Sequence, residues 1–269
     1  MTEVTPRPRG RWQDLSIRAG SGLAMAVVGV ALIWAGGWWF SALAILGVGL
    51  MAWELAVMTA PHPAPRGSLL VGIAASAALG YALWMHRPLW LAIMLAPLVV
   101  GLLTPRRDRV VYAIYVMVIM FTGYGLVAFR DGYGFSFVLW LVLLVVFADM
   151  MGYFGGRLIG GPKFWPRVSP KKTWAGTICG WAGAALVGWA MAAFAGGPWW
   201  LPGFSALVAL ASQLGDIAES AIKRRANIKD SSHLIPGHGG AMDRFDALAG
   251  ATVFLLLWGL VAPVPYFEG

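Results

Sequence analysis

The chain has 269 residues, of which 59% are hydrophobic and only 12% are charged. Its mean hydropathy of +0.72 is too apolar for a soluble protein of this length, so we expect the bilayer to be its solvent. A net charge of +8 could suit nucleic acid, but in a membrane protein an excess of Lys and Arg marks cytoplasmic loops and anionic headgroups. We therefore predict an integral membrane protein with no nucleic-acid partner.

Apolar segments long enough to cross the hydrocarbon recur along the whole chain. Breaks such as "TAPHPAPRG", "TPRRDR", "FRDGYG" and "GGPWWLPG" separate them, because proline and glycine end helices. The pattern predicts an all-α, polytopic integral membrane helix bundle of about nine transmembrane helices. The expected spans are near 19–36, 38–58, 67–85, 89–103, 110–128, 135–156, 175–195, 203–224 and 246–263. The first two are divided only by Gly36 and Gly37.

Nine spans distribute the basic residues very unevenly if the N-terminus is cytoplasmic. Of the 20 Lys and Arg residues, all but Arg87 and Arg130 then fall on the inner side. The positive-inside rule requires an asymmetry of this kind. We therefore predict a cytoplasmic N-terminus and place the long polar segments, including "RLIGGPKFWPRVSPKKTW", on the cytoplasmic side.

The span near 175–195 carries small residues at every fourth position. Such a stripe lets another helix approach closely, so we expect it to be a packing surface. Its members are Gly176, Gly180, Ala184, Gly188, Ala192 and Gly196.

Three charged residues lie on one face of the span near 203–224. Asp216, Glu219 and Lys223 are spaced at i, i+3 and i+7. Charges within the hydrocarbon are costly and therefore indicate a functional site by default. An internal ion pair that only fixes the helix register is the alternative, and the helix alone does not separate the two.

The segment after this helix brings further acids to the same end of the membrane. Asp230, Asp243 and Asp246 can fold back beside Asp216, and a cluster of carboxylates suits a hard cation such as Mg²⁺. His238 is surrounded by glycines that allow close backbone approach and can present N–H groups to an anion. We therefore expect a metal site here and expect His238 to have a functional role beside it.

The motif "VSPKKTW" is a second candidate for phosphate binding. Ser169, Lys171, Lys172 and Thr173 directly precede an expected helix, where free N–H groups and the helix dipole favour a phosphate. On this fragment alone, a basic cluster that contacts anionic lipid is the better interpretation. Asp149 is a further polar residue in an apolar span, and it is either a ligand or a helix-packing contact.

Taken together, these motifs resemble one family. The segment "SAIKRRANIKDSSHLIPGHGGAMDRFDA" is similar to the signature of the phosphatidate cytidylyltransferases, or CDP-diacylglycerol synthases: S-x-x-K-R-x-x-x-x-K-D, a spacer, P-G-H-G-G, two residues and D-R-x-D. "GDIAES" and "SPKKTW" extend the match, so it covers most of 149–247. The resemblance implies an enzyme of the bacterial inner membrane, with its active site facing the cytoplasm, that joins CTP and phosphatidic acid into CDP-diacylglycerol. It further implies that pyrophosphate is released and that the protein is a homodimer. The cations it implies are Mg²⁺ and a second, monovalent one such as K⁺.

The resemblance also implies a role for each matching position. The expected catalytic residues are Asp216, Asp243, Lys223 and Lys172, and the expected metal ligands are Asp216, Asp243, Asp246 and Asp230. The expected substrate-binding residues are Ser169, Lys171, Lys172, Thr173, Arg224, Lys229, His238 and Arg244. One departure is Ala175, where the family commonly has Glu. Residues 1–140 match only in span pattern, so we expect them to be a scaffold with oligomer contacts, and 141–269 to be the catalytic region.

Three other functions are alternatives to this enzyme activity. A transporter could use Asp149, Asp216 and Glu219 as ion carriers, but these acids crowd one end of the membrane and no inverted repeat is evident. Another lipid-phosphate enzyme, such as a CDP-alcohol phosphotransferase or a polyprenol kinase, is the second alternative; the former opens on D-G-x-x-A-R, which "RDGYGF" lacks. A structural scaffold would have no use for the acids between 149 and 246.

Overall fold

The structure is a computed structural model that describes residues 11–61, 67–85, 89–235 and 237–267, with the backbone alone for 11–19. The helices in these ranges are α1 (Arg11–Ala35), α2 (Gly37–Met58), α3 (Gly67–Trp84), α4 (Trp90–Met94), α5 (Ala96–Leu102), α6 (Arg109–Leu158), α7 (Trp174–Phe194), α8 (Leu201–Arg225) and α9 (Met242–Trp258). Two short strands, β1 (Lys163–Trp165) and β2 (Ser169–Thr173), lie between α6 and α7.

Each predicted span coincides with helix, which confirms a helical membrane protein, although 89–103 is divided between α4 and α5 and 246–263 runs beyond the end of α9. Within the described residues, α2, α3, α6, α7 and α8 are long and apolar enough to cross a membrane. Residues 20–35 and 90–102 form shorter apolar helices. The number of nine spans and the cytoplasmic N-terminus stay predictions, and Arg87 and the first ten residues lie outside the described ranges.

Helix α6 joins two of the predicted spans. Its 50 residues would extend about 75 Å at 1.5 Å per residue, more than twice the roughly 30 Å hydrocarbon core. Gly134 interrupts it with φ +83° and ψ −175°, a conformation that is open to glycine and strained for other residues. The break predicted at "FRDGYG" is therefore a one-residue kink, which divides α6 into 109–133 and 135–158.

Among the described residues, two apolar clusters form the core. One joins α2, α3, α4, α5 and residues 112–120 of α6, and the other joins residues 126–148 of α6 to α7, α8 and α9. The second group closes on itself, because α6 packs on α7, α7 on α8, α8 on α9, and α9 again on α6. The two groups are not separate, since Ile222 of α8 and Met242 of α9 pack into the first cluster.

The small-residue stripe of α7 is a packing surface, as predicted. Gly176 lies directly against Gly152 and Gly156 of α6, so closely that a side chain would meet the α6 backbone. One end of the stripe therefore packs on α6. At the other end, Gly188 lies against Ser205 and the first turn of α8.

Helices α8 and α9 cross at a pair of glycines. A Cβ on Gly215 would lie 2.9 Å from both the Cα and the N of Gly250, and a Cβ on Gly250 would lie 2.9 Å from the same atoms of Gly215. These distances are possible only because neither residue has a side chain. Asp216 directly follows one glycine, and Asp246 lies one turn before the other, so the crossing brings two carboxylates from different helices together.

The β1–β2 hairpin is the main departure from an all-α fold. The strands pair antiparallel, with Lys163 opposite Thr173 and Trp165 opposite Ser169. Strands of three and five residues with a proline in one of them show no alternating pattern, so periodicity could not predict them. Thr173 ends β2 and caps α7, because its Oγ1 accepts a hydrogen bond of 3.1 Å from the Gly176 N–H.

We expect Gly215→Ala to destabilise the protein by about 1–3 kcal/mol, because the added methyl group must push two helix backbones apart. Gly203→Ala is the matched control on the same helix, since a Cβ there meets nothing within 4 Å. The control should be neutral or stabilising by up to about 1 kcal/mol, the helix-propensity gain of Ala over Gly. Thermal unfolding of both variants in detergent measures the difference; equal stabilities would contradict the close crossing.

Candidate active site

A cavity of about 550 Å³ lies among α6, α7, α8, α9 and β2. Its lining contains acids and bases in equal number, in a protein that otherwise has few charges. The acids are Asp149, Asp216, Asp230, Asp243 and Asp246, and the bases are Arg157, Lys171, Lys172, Lys223 and Arg244. The structure therefore brings together most of the residues that the sequence predicted for the site, including Asp149, for which the sequence left two interpretations open.

Three carboxylates form the centre of this arrangement. Asp216 and Glu219 from α8 and Asp246 from α9 each place one oxygen within 4.8 Å of the others. Glu219 is fully buried and Asp246 is 9% exposed, so water can do little to screen their repulsion. Carboxylate oxygens at such spacing are the donor set that a hard divalent cation prefers, and the residues present fit Mg²⁺.

Two lysines compensate part of this negative charge. Lys172 of β2 forms an ion pair with Asp216, and Lys223 of α8 forms one with Glu219. Lys223 also donates a hydrogen bond of 2.7 Å to Oδ1 of Asp243. Asp216, Glu219 and Asp243 thus each have a basic partner, which lowers the cost of holding them in a partly dry space.

Asp243 binds protein donors through both of its oxygens. While Oδ1 accepts from Lys223, Oδ2 accepts from the Ser231 N–H at 2.9 Å, the Ser231 hydroxyl at 2.8 Å and the Gly240 N–H at 2.8 Å. Asp243 lies outside the five helices that can cross the membrane. Burial raises the pKa of its carboxyl group, but the hydrogen bonds from Lys223 and from the N–H groups of Gly240 and Ser231 outweigh burial and bring the pKa to about 2. Asp243 therefore anchors the chain before α9, and its predicted role as a metal ligand stays a prediction.

One glycine N–H of the loop between α8 and α9 has a different partner from the one predicted. We expected the glycine N–H groups to face an external anion, but the Gly240 N–H donates to Asp243 within the protein. Gly239 has φ +80°, and a Cβ on it would meet the Asp243 carboxylate. The close approach that the glycines were predicted to allow is therefore real, but a carboxylate of the chain itself makes it.

Four predicted substrate-binding residues lie outside the described lining of the cavity. They are Ser169, Arg224, Lys229 and His238. Arg224 is exposed, and its guanidinium donates to the Ile228 carbonyl at 3.4 Å. His238 contacts the N-terminal helix instead, with its Nδ1 2.9 Å from the hydroxyl of Ser21. Their roles stay predictions, whereas Lys171, Lys172, Thr173 and Arg244 do line the cavity.

Sequence reasoning missed Arg157 and did not count Glu219 among the metal ligands. Arg157 reaches the cavity from the end of α6, where its Nη1 donates to the Tyr153 hydroxyl at 2.9 Å. Its sequence context, the last turn of an apolar helix, is typical of any juxtamembrane arginine. Glu219 could have been found, because it lies on the same helical face as Asp216.

The sequence matches the family model described as "Cytidylyltransferase family" over residues 16–261. Among curated relatives, the chain is 42% identical over 137 residues to phosphatidate cytidylyltransferases of Brucella abortus and Brucella suis, which is 50% of this chain and 51% of theirs. It is 36% identical over 140 residues to the phosphatidate cytidylyltransferase of Staphylococcus aureus, which is 50% of this chain and 54% of that one.

These alignments differ in extent. The chain spans about half the length of the curated relatives that it matches. The family model, by contrast, covers nearly the whole chain, from the second turn of α1 to beyond the end of α9. The chain therefore belongs to the cytidylyltransferase family.

Proposed function

We propose that this protein transfers a cytidylyl group from CTP to phosphatidic acid within the membrane, giving CDP-diacylglycerol and pyrophosphate. The observation that carries the proposal is the cluster of Asp216, Glu219 and Asp246, of which Asp216 and Asp246 line a cavity that also contains five basic side chains. Acids suited to a metal and bases suited to phosphates are the two requirements of a reaction between polyanions. The substrates are those named in the activity of the curated relatives.

The three-carboxylate cluster would hold Mg²⁺, with Asp243 and Asp230 in the same cavity. When bound, the ion neutralises phosphate oxygens and so favours their approach to one another. Lys172 and Lys223 already pair with two of the three carboxylates, so they are placed to exchange those partners for phosphate oxygens. A second, monovalent cation is part of the proposal only through the family resemblance.

The attacking group is the phosphate monoester of phosphatidic acid. Because its second pKa is about 6, it is largely dianionic at neutral pH and needs no strong general base. One of its oxygens bonds to the α-phosphorus of CTP, while the bond from that phosphorus to the β-phosphate breaks and pyrophosphate leaves with the electron pair. Lys171, Arg157 and Arg244 line the cavity and would neutralise the charge on the leaving group.

The lipid would reach the cavity along α6. Tyr153 lines the cavity, and the same helix exposes Phe147, Met150 and Phe154 to the surroundings on adjacent turns. An exposed apolar surface next to a charged cavity suits a substrate with acyl chains and a phosphate headgroup. We further propose a bacterial inner-membrane location, with CTP entering from the cytoplasm, and a homodimer as the family resemblance implies.

Purified protein incubated with CTP, phosphatidic acid and Mg²⁺ tests the proposal directly. We expect CDP-diacylglycerol and pyrophosphate to form in equal amounts, and no product without Mg²⁺. Replacing phosphatidic acid by an alcohol or a polyprenol in parallel reactions tests the other lipid-phosphate enzymes. Turnover of one of those substrates, with none of phosphatidic acid, would overturn the proposal.

Asp216→Asn should lower kcat by about a hundredfold or more, the scale of losing one electrostatic contact in a transition state. The side chain keeps its size, so the protein should remain folded in the membrane. Asp131→Asn is the control, because Asp131 is exposed on α6 and lies outside the cavity lining. Initial rates across a Mg²⁺ titration measure both variants; equal rates for the two would remove the metal-site argument.

Lys172→Ala removes a charge-assisted contact worth about 1.5–3 kcal/mol, so we expect kcat/KM for CTP to fall roughly tenfold or more. The matched control is Lys163→Ala, on the exposed partner strand of the same hairpin. Steady-state kinetics with varied CTP at fixed phosphatidic acid measures the effect. If kcat/KM for CTP is unchanged in Lys172→Ala, the interpretation of this motif as a basic cluster that contacts anionic lipid would be the correct one.

A further inference from the structure

Glu54 is a fully buried carboxylate in α2, far along the chain from the motifs of the site. It lies outside the described lining of the cavity and takes no part in the chemistry above. Its four recorded hydrogen-bond partners are all donors, and all belong to the segment between α8 and α9 or to the first residue of α9. They are the hydroxyls of Ser231 and Ser232 and the N–H groups of Ala241 and Met242.

The four bonds are divided evenly between the two carboxylate oxygens. Oε1 accepts from the Ser232 hydroxyl at 2.5 Å and the Ala241 N–H at 2.9 Å. Oε2 accepts from the Met242 N–H at 2.7 Å and lies 3.1 Å from the Ser231 hydroxyl, whose single proton it shares with Oδ2 of Asp243 at 2.8 Å. Each oxygen therefore binds one hydroxyl and one backbone N–H, a pattern that only a group with two acceptor oxygens can satisfy.

This arrangement caps helix α9 from another helix. The N-cap residue is Ala241, whose side chain cannot accept a hydrogen bond, so the first N–H groups of α9 need an outside partner. Glu54 binds two of them and places a negative charge at the positive end of the helix dipole. The position of the α9 start thus depends on a side chain from the N-terminal region.

The hydrogen bonds of Glu54 are connected through Ser231 to side chains that line the cavity. Ser231, which binds Glu54 through its hydroxyl, also donates its N–H to Asp243, and Asp243 in turn holds Lys223. Gly240 fits between these groups, because a Cβ on it would meet both the Glu54 carboxylate and the Ser231 hydroxyl. Two of the cavity's charged side chains are therefore oriented through a network whose outer end is Glu54.

We infer that Glu54 is a positioning residue for the reaction, which holds the start of α9 so that Asp243 and Lys223 face the cavity. The inference rests on the proposed function for its effect on turnover. It assigns a role in the site to α2, within the region 1–140 that the sequence predicted to be only a scaffold.

Glu54→Gln is the decisive variant, because it keeps the shape of the side chain and replaces one acceptor oxygen by an NH₂ group. A serine hydroxyl can rotate to accept from that group, but the backbone N–H beside it cannot, so one cap bond is lost. We expect kcat for CDP-diacylglycerol formation to fall roughly tenfold to a hundredfold, the usual effect of losing a group that orients a site residue. KM for CTP should change less than kcat, since Lys223 is in the network but the other phosphate-binding side chains Lys171, Lys172 and Arg157 are not.

Two measurements separate positioning from a general loss of stability. Hydrogen–deuterium exchange in nanodiscs should show faster exchange in 237–245 of Glu54→Gln, with unchanged protection in α7. Ser232→Ala removes a single bond to Glu54 and is the milder variant if Glu54→Gln does not fold. Its effect on kcat should be small in the wild type and absent in the Glu54→Gln background, since the two residues act through one network. Asp131→Asn is again the control.

The outcomes are distinct for the two proposals. Normal kcat together with unchanged exchange in 237–245 of both variants would overturn the positioning role. A wild-type protein that forms no CDP-diacylglycerol would overturn the proposed function, and the exchange data would still decide whether Glu54 holds the start of α9.

Discussion

Three carboxylates that share a space of 4.8 Å within a membrane protein are the feature on which the rest of this structure depends. Two like charges 4 Å apart repel by about 4 kcal/mol at an effective dielectric constant of about 20, and a third adds to that cost. The fold meets this cost in two ways. Helix crossings at glycine pairs hold the backbones together, and lysines from a helix and from a hairpin neutralise part of the charge.

The helices and the connecting segments contribute different charges to the site. Packed helices α8 and α9 supply the acids, whose positions are fixed by backbone contact at Gly215 and Gly250. The hairpin supplies Lys172 from a strand that leads directly into the capped start of α7. The acids of α8 and α9 and the lysines of β2 therefore line one cavity, to which the end of α6 adds Arg157.

The sequence predicted the helices and much of the site, because the strongest signals in it are physical ones. Apolar length predicted the spans, and i, i+3 spacing predicted that Asp216 and Glu219 share a face. What it could not predict depends on contacts between distant segments. Without knowing which helices pack together, one cannot predict that Gly215 contacts Gly250 or which donors bind Asp243. Glu54 did carry a signal, since a lone carboxylate in the apolar sequence "GWWFSALAILGVGLMAWELAVM" is costly unless it has partners.

The missing side chain of Gly240 links distant parts of the chain. A Cβ there would meet both the carboxylate of Glu54, 186 positions earlier, and the hydroxyl of Ser231. A shorter side chain at position 54 alone would therefore leave the space still closed by Ser231. Any larger residue at position 240 must displace both groups, so a single methyl group here would move a membrane helix and a loop at the same time.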